Sequence, residues 1–134
     1  MAGFVNTIES LILNHLFGKT PYEAPATYYI GLSTSDPGET GVLTGEPVGG
    51  SYARVAVTNN TTNFPAAVDG SKVNGVQVEF NEATGSWGTI THFFLADALT
   101  AGNVIASGTL EYPKQVESGD AFYFDAGDLT IELD

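Results

Sequence analysis

The sequence predicts a mainly β fold, an antiparallel β-sandwich or jelly-roll-like barrel with one N-terminal amphipathic α-helix. After Pro21 the chain consists of short runs of β-branched and aromatic residues separated by glycine- and proline-rich turns. Successive runs begin about 8 to 12 residues apart, a spacing typical of sandwiches and barrels. Only the first residues of the chain have the three- and four-residue apolar spacing of a helix.

The length and the absence of cysteine set the expected organisation. The chain has 134 residues, and we expect one domain over residues 1–134, with the helix in 1–18 and the β-sandwich in 26–134. A chain of this length buries enough surface to fold without a metal or a disulfide, so no cofactor is implied. Since it contains no cysteine, thiolate chemistry and cysteine-based zinc sites are excluded.

The charge balance bears on the possible partners. Sixteen Asp and Glu residues stand against four Lys and Arg, for a formal net charge of −12. Nucleic acids and anionic membrane surfaces attract basic proteins, so neither is an expected partner. The first residues lack a basic leader, and no apolar run is long enough to span a bilayer, so we expect neither a secretory signal nor a membrane segment.

The first seventeen residues have an apolar stripe, and Gly18 follows it as a helix stop. A stripe this wide must pack either on the body of the domain or on another subunit, and the sequence favours neither. The residues of the stripe are Phe4, Val5, Ile8, Leu11, Ile12, Leu16 and Phe17.

The β region begins with a run rich in β-formers at residues 26–33. Residues 37–50 are rich in glycine and proline and predict a long exposed loop, a kind of segment that is often functional. Residues 51–58 alternate between an apolar face and a face that carries Arg54, as in a sheet with one side on the core. Further strands are predicted at residues 73–80, 104–112, 121–125 and 129–133.

Residues 85–98, GSWGTITHFFLADA, predict a central strand, because both of its faces become apolar toward the end. His92 lies within this run. A catalytic histidine needs a nucleophile or acid and an orienting group, and no nucleophile elbow or similar motif is present. We therefore interpret His92 as a strand residue that packs beside Phe94 or a neighbouring chain and forms local hydrogen bonds.

Two binding hypotheses come from the acidic and the aromatic residues. Carboxylates near the C-terminus and in the long loop are possible calcium ligands, although neither segment has EF-hand spacing, and solvated turn carboxylates are the ordinary alternative. Four aromatic residues on strands suggest a sugar-stacking platform, but such positions are more often core or interface. The acidic residues are Asp125, Asp128, Glu132 and Asp134, with Asp36, Glu39 and Glu46 in the loop, and the aromatic ones are Tyr28, Tyr29, Tyr52 and Trp87.

Several segments together resemble a family of small virion proteins of tailed bacteriophages, which includes tail-fibre-like and head-decoration-like members. The resemblance covers nearly the whole chain, with one departure at Ser51, where glycine is more usual. The segments are LFGKTPY, YYIGLSTSDPGETG, SYARVAVTNNTTNFPAA, GSWGTITHFFLADA, AGNVIASGTLEYPKQVESGD and FDAGDLTIELD.

The resemblance implies a non-enzymatic, multi-copy structural protein of the virion that binds other virion proteins and forms a homo-oligomer, with a trimer favoured. It leaves head decoration or cement and tail fibre or adaptor open, and the alternative is a carbohydrate-binding receptor module at a fibre tip. Apolar area beyond the needs of a small core marks an interface. The expected interface residues are Phe4, Ile8, Leu11, Ile12, Leu16, Phe17, Trp87, His92 and Phe94.

Overall fold

The computed structural model describes residues 2–133 and confirms a mainly β protein with one N-terminal helix. Its elements in chain order are β1 (Ala2–Phe4), α1 (Asn6–Leu16), β2 (Thr27–Ser33), β3 (Val55–Thr58), β4 (Ser71–Val73), β5 (Val78–Glu79), β6 (Gly88–Ala96), β7 (Val104–Val116), β8 (Tyr123–Phe124) and β9 (Thr130–Glu132).

Seven of the strands form one sheet in the order β3-β2-β6-β7-β1-β9-β4, which curls into a half-barrel. The remaining strands, β5 and β8, pair with each other as a small second sheet. All neighbouring strands run antiparallel except β1 and β9, which run parallel, so the large sheet is mixed. Strands β3 and β4 lie at its two edges.

The helix is shorter than predicted, because the first residues belong to the sheet. Ala2–Phe4 pairs with β7 on one side, and Ala2 also pairs with Ile131 of β9 on the other. A backbone held by two neighbouring strands cannot also form helical hydrogen bonds, so the helix begins only at Asn6. The predicted placement of Phe4 and Val5 on the helix was therefore wrong. Two adjacent apolar residues fit both the pattern of a helix and that of a strand, so their type did not distinguish the two.

Strand β6 is central and buried on both faces, as predicted from its sequence. Phe93 and Leu95 lie in the main core inside the curled sheet. Phe94 and Ala96 point the other way, into a second apolar cluster beneath the helix, which they share with Ile8. The helix therefore covers one face of the sheet, and the curl of the sheet covers the other.

An aromatic cluster fills the main core near β8. Phe80 contacts Trp87, Phe122 and Phe124 edge to face, with ring centroids 5.7 to 6.4 Å apart. Edge-to-face pairs add a specific geometric preference to the apolar burial. The cluster therefore holds the two-stranded sheet firmly against the large one.

The long loop at residues 37–50 contacts the sheet through specific bonds. The backbone N–H of Thr34 donates to the carbonyl of Gly45 over 2.9 Å, and Glu46 forms an ion pair with Arg54. Arg54 was predicted on the polar face of its strand, but it is only 6% exposed. The parts of the loop that remain exposed lie on either side of this attachment, at Val42 and Val48.

Candidate docking surface

The C-terminal end of α1 carries an exposed apolar patch. Leu13, Leu16 and Phe17 are 56%, 62% and 76% exposed, and we call these three residues the helix-end patch. Nearer its start, the same helix packs on the body of the protein through Ile8, which is buried, and through Leu11, which is half-buried. The apolar residues near the start of the helix thus pack in the core, and those at its end are exposed to solvent.

The backbone around the end of the helix determines where Phe17 lies. The N–H of Phe17 still donates to the carbonyl of Leu13 at 2.8 Å, although Phe17 itself has extended dihedral angles. Gly18 follows with φ of +120°, which few L-residues adopt, and the N–H of Thr20 then donates to the carbonyl of Asn14 at 2.9 Å. This compact turn holds the Phe17 ring at the surface.

The nine residues expected at an interface fall into three groups. Ile8, Trp87 and Phe94 are buried in the chain's own cores, so their apolar area is already used within the protein. Leu16 and Phe17 are exposed. The other four are partly exposed, namely Phe4, Leu11, Ile12 and His92. The interface hypothesis therefore depends on the helix-end patch, including Leu13, which the sequence analysis missed because it lies outside the predicted stripe.

His92 lies among hydroxyl groups at the surface of the sheet. Its Nδ1 is 2.7 Å from Oγ1 of Thr91, and its Nε2 is 3.4 Å from Oγ1 of Thr109. Asp36 lies 3.8 Å from the same Nε2, so the two form an ion pair only when the imidazole is protonated. These contacts agree with a strand histidine that forms local hydrogen bonds.

Arg54 makes more side-chain hydrogen bonds than any other charged residue in the described part of the chain, and its side chain is buried. The Arg54 guanidinium donates to both carboxylate oxygens of Glu46 and to the carbonyls of Ala98 and Ala101, at 2.7 to 2.9 Å. The hydrogen bond from Arg54 to Glu46 raises the pKa of the guanidinium further, against the opposing effect of burial. With its donors directed at these acceptors, Arg54 acts as a structural link between two loops and β3.

Two of the acidic residues that suggested calcium accept hydrogen bonds within turns. Asp36 Oδ1 accepts the N–H of Gly38 at 2.8 Å, and Asp128 Oδ2 accepts the N–H of Asp125 at 2.9 Å. Within residues 2–133, no three His, Asp or Glu side chains are placed to hold a metal ion together. Asp134, the last residue of the predicted cluster, lies outside the described residues.

In the described part of the chain, no helix is long and apolar enough to cross a membrane.

Three of the four aromatic residues suggested as a sugar platform, Tyr28, Tyr52 and Trp87, lie in or against the core. Tyr52 stacks edge to face on Trp87 with ring centroids 5.4 Å apart, and Tyr28 meets Phe64 in the same way at 5.9 Å. The exposed tyrosines are instead Tyr112 and Tyr123. Neither was predicted as a site residue, although Tyr112 precedes a proline within a strand, which is a signal of local irregularity.

Comparison with known proteins places the chain beside one family. A family model described as podophage GP4 fiber I protein gp80 matches residues 3–132, which include the helix and all the described strands except Ala2 of β1. No curated protein matches the chain.

Proposed function

The chain belongs to the podophage GP4 fiber I protein family, and we propose that it serves as a fibre component or fibre adaptor rather than as a head-decoration or cement protein. Membership of this family makes it a structural protein of a tailed-phage virion. The observation that carries the proposal is the extent of the match, from residue 3 to residue 132, because it covers the sheet, the helix and the loops together.

The role is structural rather than enzymatic. The family is one of fibre proteins, and the ionic group with the most hydrogen bonds, Arg54 with Glu46, is a buried structural link. His92 contacts threonine hydroxyls at the sheet surface, and these contacts support local stabilisation of the strand as its role.

The helix-end patch is the proposed contact with a neighbouring virion protein. Its three apolar side chains are each more than half exposed, and the turn after the helix holds Phe17 at the surface. Fully buried centres of protein interfaces are rich in aromatic and apolar residues, and clustered exposed apolar side chains mark such sites. Phe17, with 76% of its surface exposed, is the residue we expect at the centre of the contact.

We further propose that the copies associate with one another, with a trimer favoured. The half-barrel leaves β3 and β4 as edge strands, and such edges are sites where another chain can add or pack. Native mass spectrometry of the purified protein tests this state. A mass three times the 14.0 kDa of the chain is the expected result, and a monomer at micromolar concentration contradicts it.

Location in the virion tests the main proposal. Cryo-electron microscopy of purified particles, combined with a gold-labelled antibody against this chain, distinguishes the sites. Density and label at the tail or its fibres are the expected result. Regular labelling over the head contradicts the fibre role and supports the decoration role.

A further inference from the structure

Strand β7 contains a large bulge, in which Leu110 packs against the main core and Tyr112 is exposed. Ile90 of β6 faces Lys114 of β7, whereas His92 faces Thr109, so a step of two residues on β6 spans five on β7. The surplus falls at residues 110–113, Leu-Glu-Tyr-Pro. Bulges bend a strand, redirect side chains and are common next to functional sites.

The bulge forms one wall of a groove of about 610 Å³. Tyr112, which is 77% exposed, lies on this wall, and Tyr123 of β8, which is 52% exposed, also lines the groove. Two tyrosine side chains are therefore exposed at one site. Glu111, Asp128 and Thr130, whose side chains carry carboxylates and a hydroxyl, also line the groove.

The floor and sides of the groove are held in place before any ligand arrives. The buried rings of Phe122 and Phe124 lie 5.3 Å apart edge to face, and Phe93 meets Phe124 at 5.8 Å. Lys114 Nζ donates to the carbonyl of Ala121 at 3.0 Å and lies 5.5 Å from the centre of the Phe122 ring. Asp128 is oriented by its bond from the N–H of Asp125. Preorganised side chains lose little entropy on binding.

From this arrangement we propose that the groove between the β7 bulge and β8 binds an uncharged sugar unit of a glycan. A pyranose ring has apolar C–H faces, which pack against exposed tyrosine rings, and an edge of hydroxyl groups, which donate to carboxylates in charge-assisted hydrogen bonds. Tyr112 and Tyr123 supply the first contact, and Glu111 and Asp128 supply the second.

The charges of the protein favour a neutral sugar over an acidic one. Two carboxylates line the groove against one lysine, Lys114, whose ammonium is already bonded to Ala121. The chain as a whole has a formal net charge of −12. A phosphorylated or carboxylated sugar would meet repulsion from both sources. The carboxylates also disfavour a protein ligand, because Glu and Asp are depleted at the centres of protein interfaces.

The test uses the full chain and neutral probes. Saturation-transfer NMR and calorimetry are run with the methyl glycosides of glucose, galactose, mannose and N-acetylglucosamine and with neutral oligosaccharides that contain them. We expect saturable binding to at least one of these probes. Tyr112→Ala and Tyr123→Ala should each weaken it about fivefold or more, and Asp128→Asn about tenfold, in line with the loss of a stacked ring or of a charge-assisted bond.

Two controls separate recognition from folding. Tyr112→Phe keeps the ring and should retain affinity within about threefold, and Val48→Ala, at a fully separate exposed site, should leave it unchanged. Circular dichroism checks that every variant is folded.

The inference is overturned if no neutral probe binds saturably, if neither tyrosine-to-alanine change weakens binding, or if only anionic probes bind. It is also overturned if these changes reduce assembly into particles while no sugar response exists, because the groove would then be a protein contact.

Discussion

Arg54 and Glu46 form a bidentate ion pair within the fold, with Nε 2.8 Å from one carboxylate oxygen and Nη2 2.9 Å from the other. The same guanidinium lies 5.0 Å from the centre of the Phe94 ring, and its Nη1 donates to the carbonyls of Ala98 and Ala101. One side chain therefore joins β3, the loop before it and the turn after β6. This link determines how the long loop lies on the protein.

Removal of one partner of this pair should be strongly destabilising. In Glu46→Ala the buried Arg54 guanidinium loses its counter-charge, and we expect the free energy of unfolding to fall by about 3 kcal/mol. Arg54→Met removes the charge together with its need for a partner. The double variant with Glu46→Ala and Arg54→Met should therefore be more stable than the sum of the two single destabilisations predicts. Urea denaturation measures both. Glu23→Ala, at an exposed glutamate, is the control, and an equal effect of Glu46→Ala and Glu23→Ala would refute the prediction.

Gly31 is required because the Phe94 ring occupies the space of a side chain. A Cβ built on Gly31 would clash with the ring of Phe94 on the paired strand, which is fully buried and has no room to move. We expect Gly31→Ala to lower the free energy of unfolding by about 2 kcal/mol or more. Gly3→Ala is the matched control, because a Cβ at Gly3 meets nothing within 4 Å. Thermal unfolding compares the two, and similar midpoints would contradict the packing argument.

Tyr52 should make the protein sensitive to alkali. Burial raises the pKa of its phenol above the ordinary value, and a hydrogen bond of 2.8 Å from its hydroxyl to Glu46 adds to the effect. A raised pKa means that the folded state favours the neutral phenol. The contribution of this phenol to the free energy of unfolding is present below about pH 10 and is lost as the pH rises above that value. Urea unfolding from pH 8 to pH 11 should therefore show a steeper loss for the unmodified chain than for Tyr52→Phe, and parallel curves would exclude this role.

The first residues should be essential for folding, since they form an internal strand. Deletion of residues 2–5 removes β1 from between β7 and β9 and takes Val5 out of the second core. We expect loss of the cooperative unfolding transition and of protection against hydrogen exchange in β7. Phe17→Ala, which removes an exposed ring in the same segment, should change stability by less than about 0.5 kcal/mol. A truncated chain that retains protected β7 amides would show the strand to be dispensable.

The helix-end patch should govern assembly without affecting the fold. Leu16→Asp and Phe17→Asp place a charge in the proposed contact, and we expect the number of copies per purified particle to fall about tenfold or more. Quantitative mass spectrometry of particles measures this number. Val48→Asp is the control, since Val48 is 94% exposed and lies outside the patch. If all three variants assemble equally well, the patch is not the attachment surface.

Local patterns were sufficient to predict much of the fold. The β-rich runs after Pro21, the helix before Gly18 and the doubly buried strand around Phe93 and Phe94 are all properties of neighbouring residues, and each was predicted from residue type and spacing. Residue type alone did not separate core from surface among the residues expected at an interface. Trp87 and Phe94 are apolar whether they face a core or a partner, so their type alone does not distinguish the two.

The sequence by itself determined that this is a cysteine-free, acidic, mainly β chain with one amphipathic helix, because composition and hydrophobic period are local properties. Only the tertiary structure decided that Ala2–Phe4 forms an internal strand, that Arg54 meets the carbonyls of Ala98 and Ala101, and that the β7 bulge presents Tyr112 to solvent. Each of these depends on backbone hydrogen bonds or contacts between segments more than 40 residues apart, or on an irregular register between two strands. Such pairings are selected by the packing of the whole chain, and no local pattern specifies them.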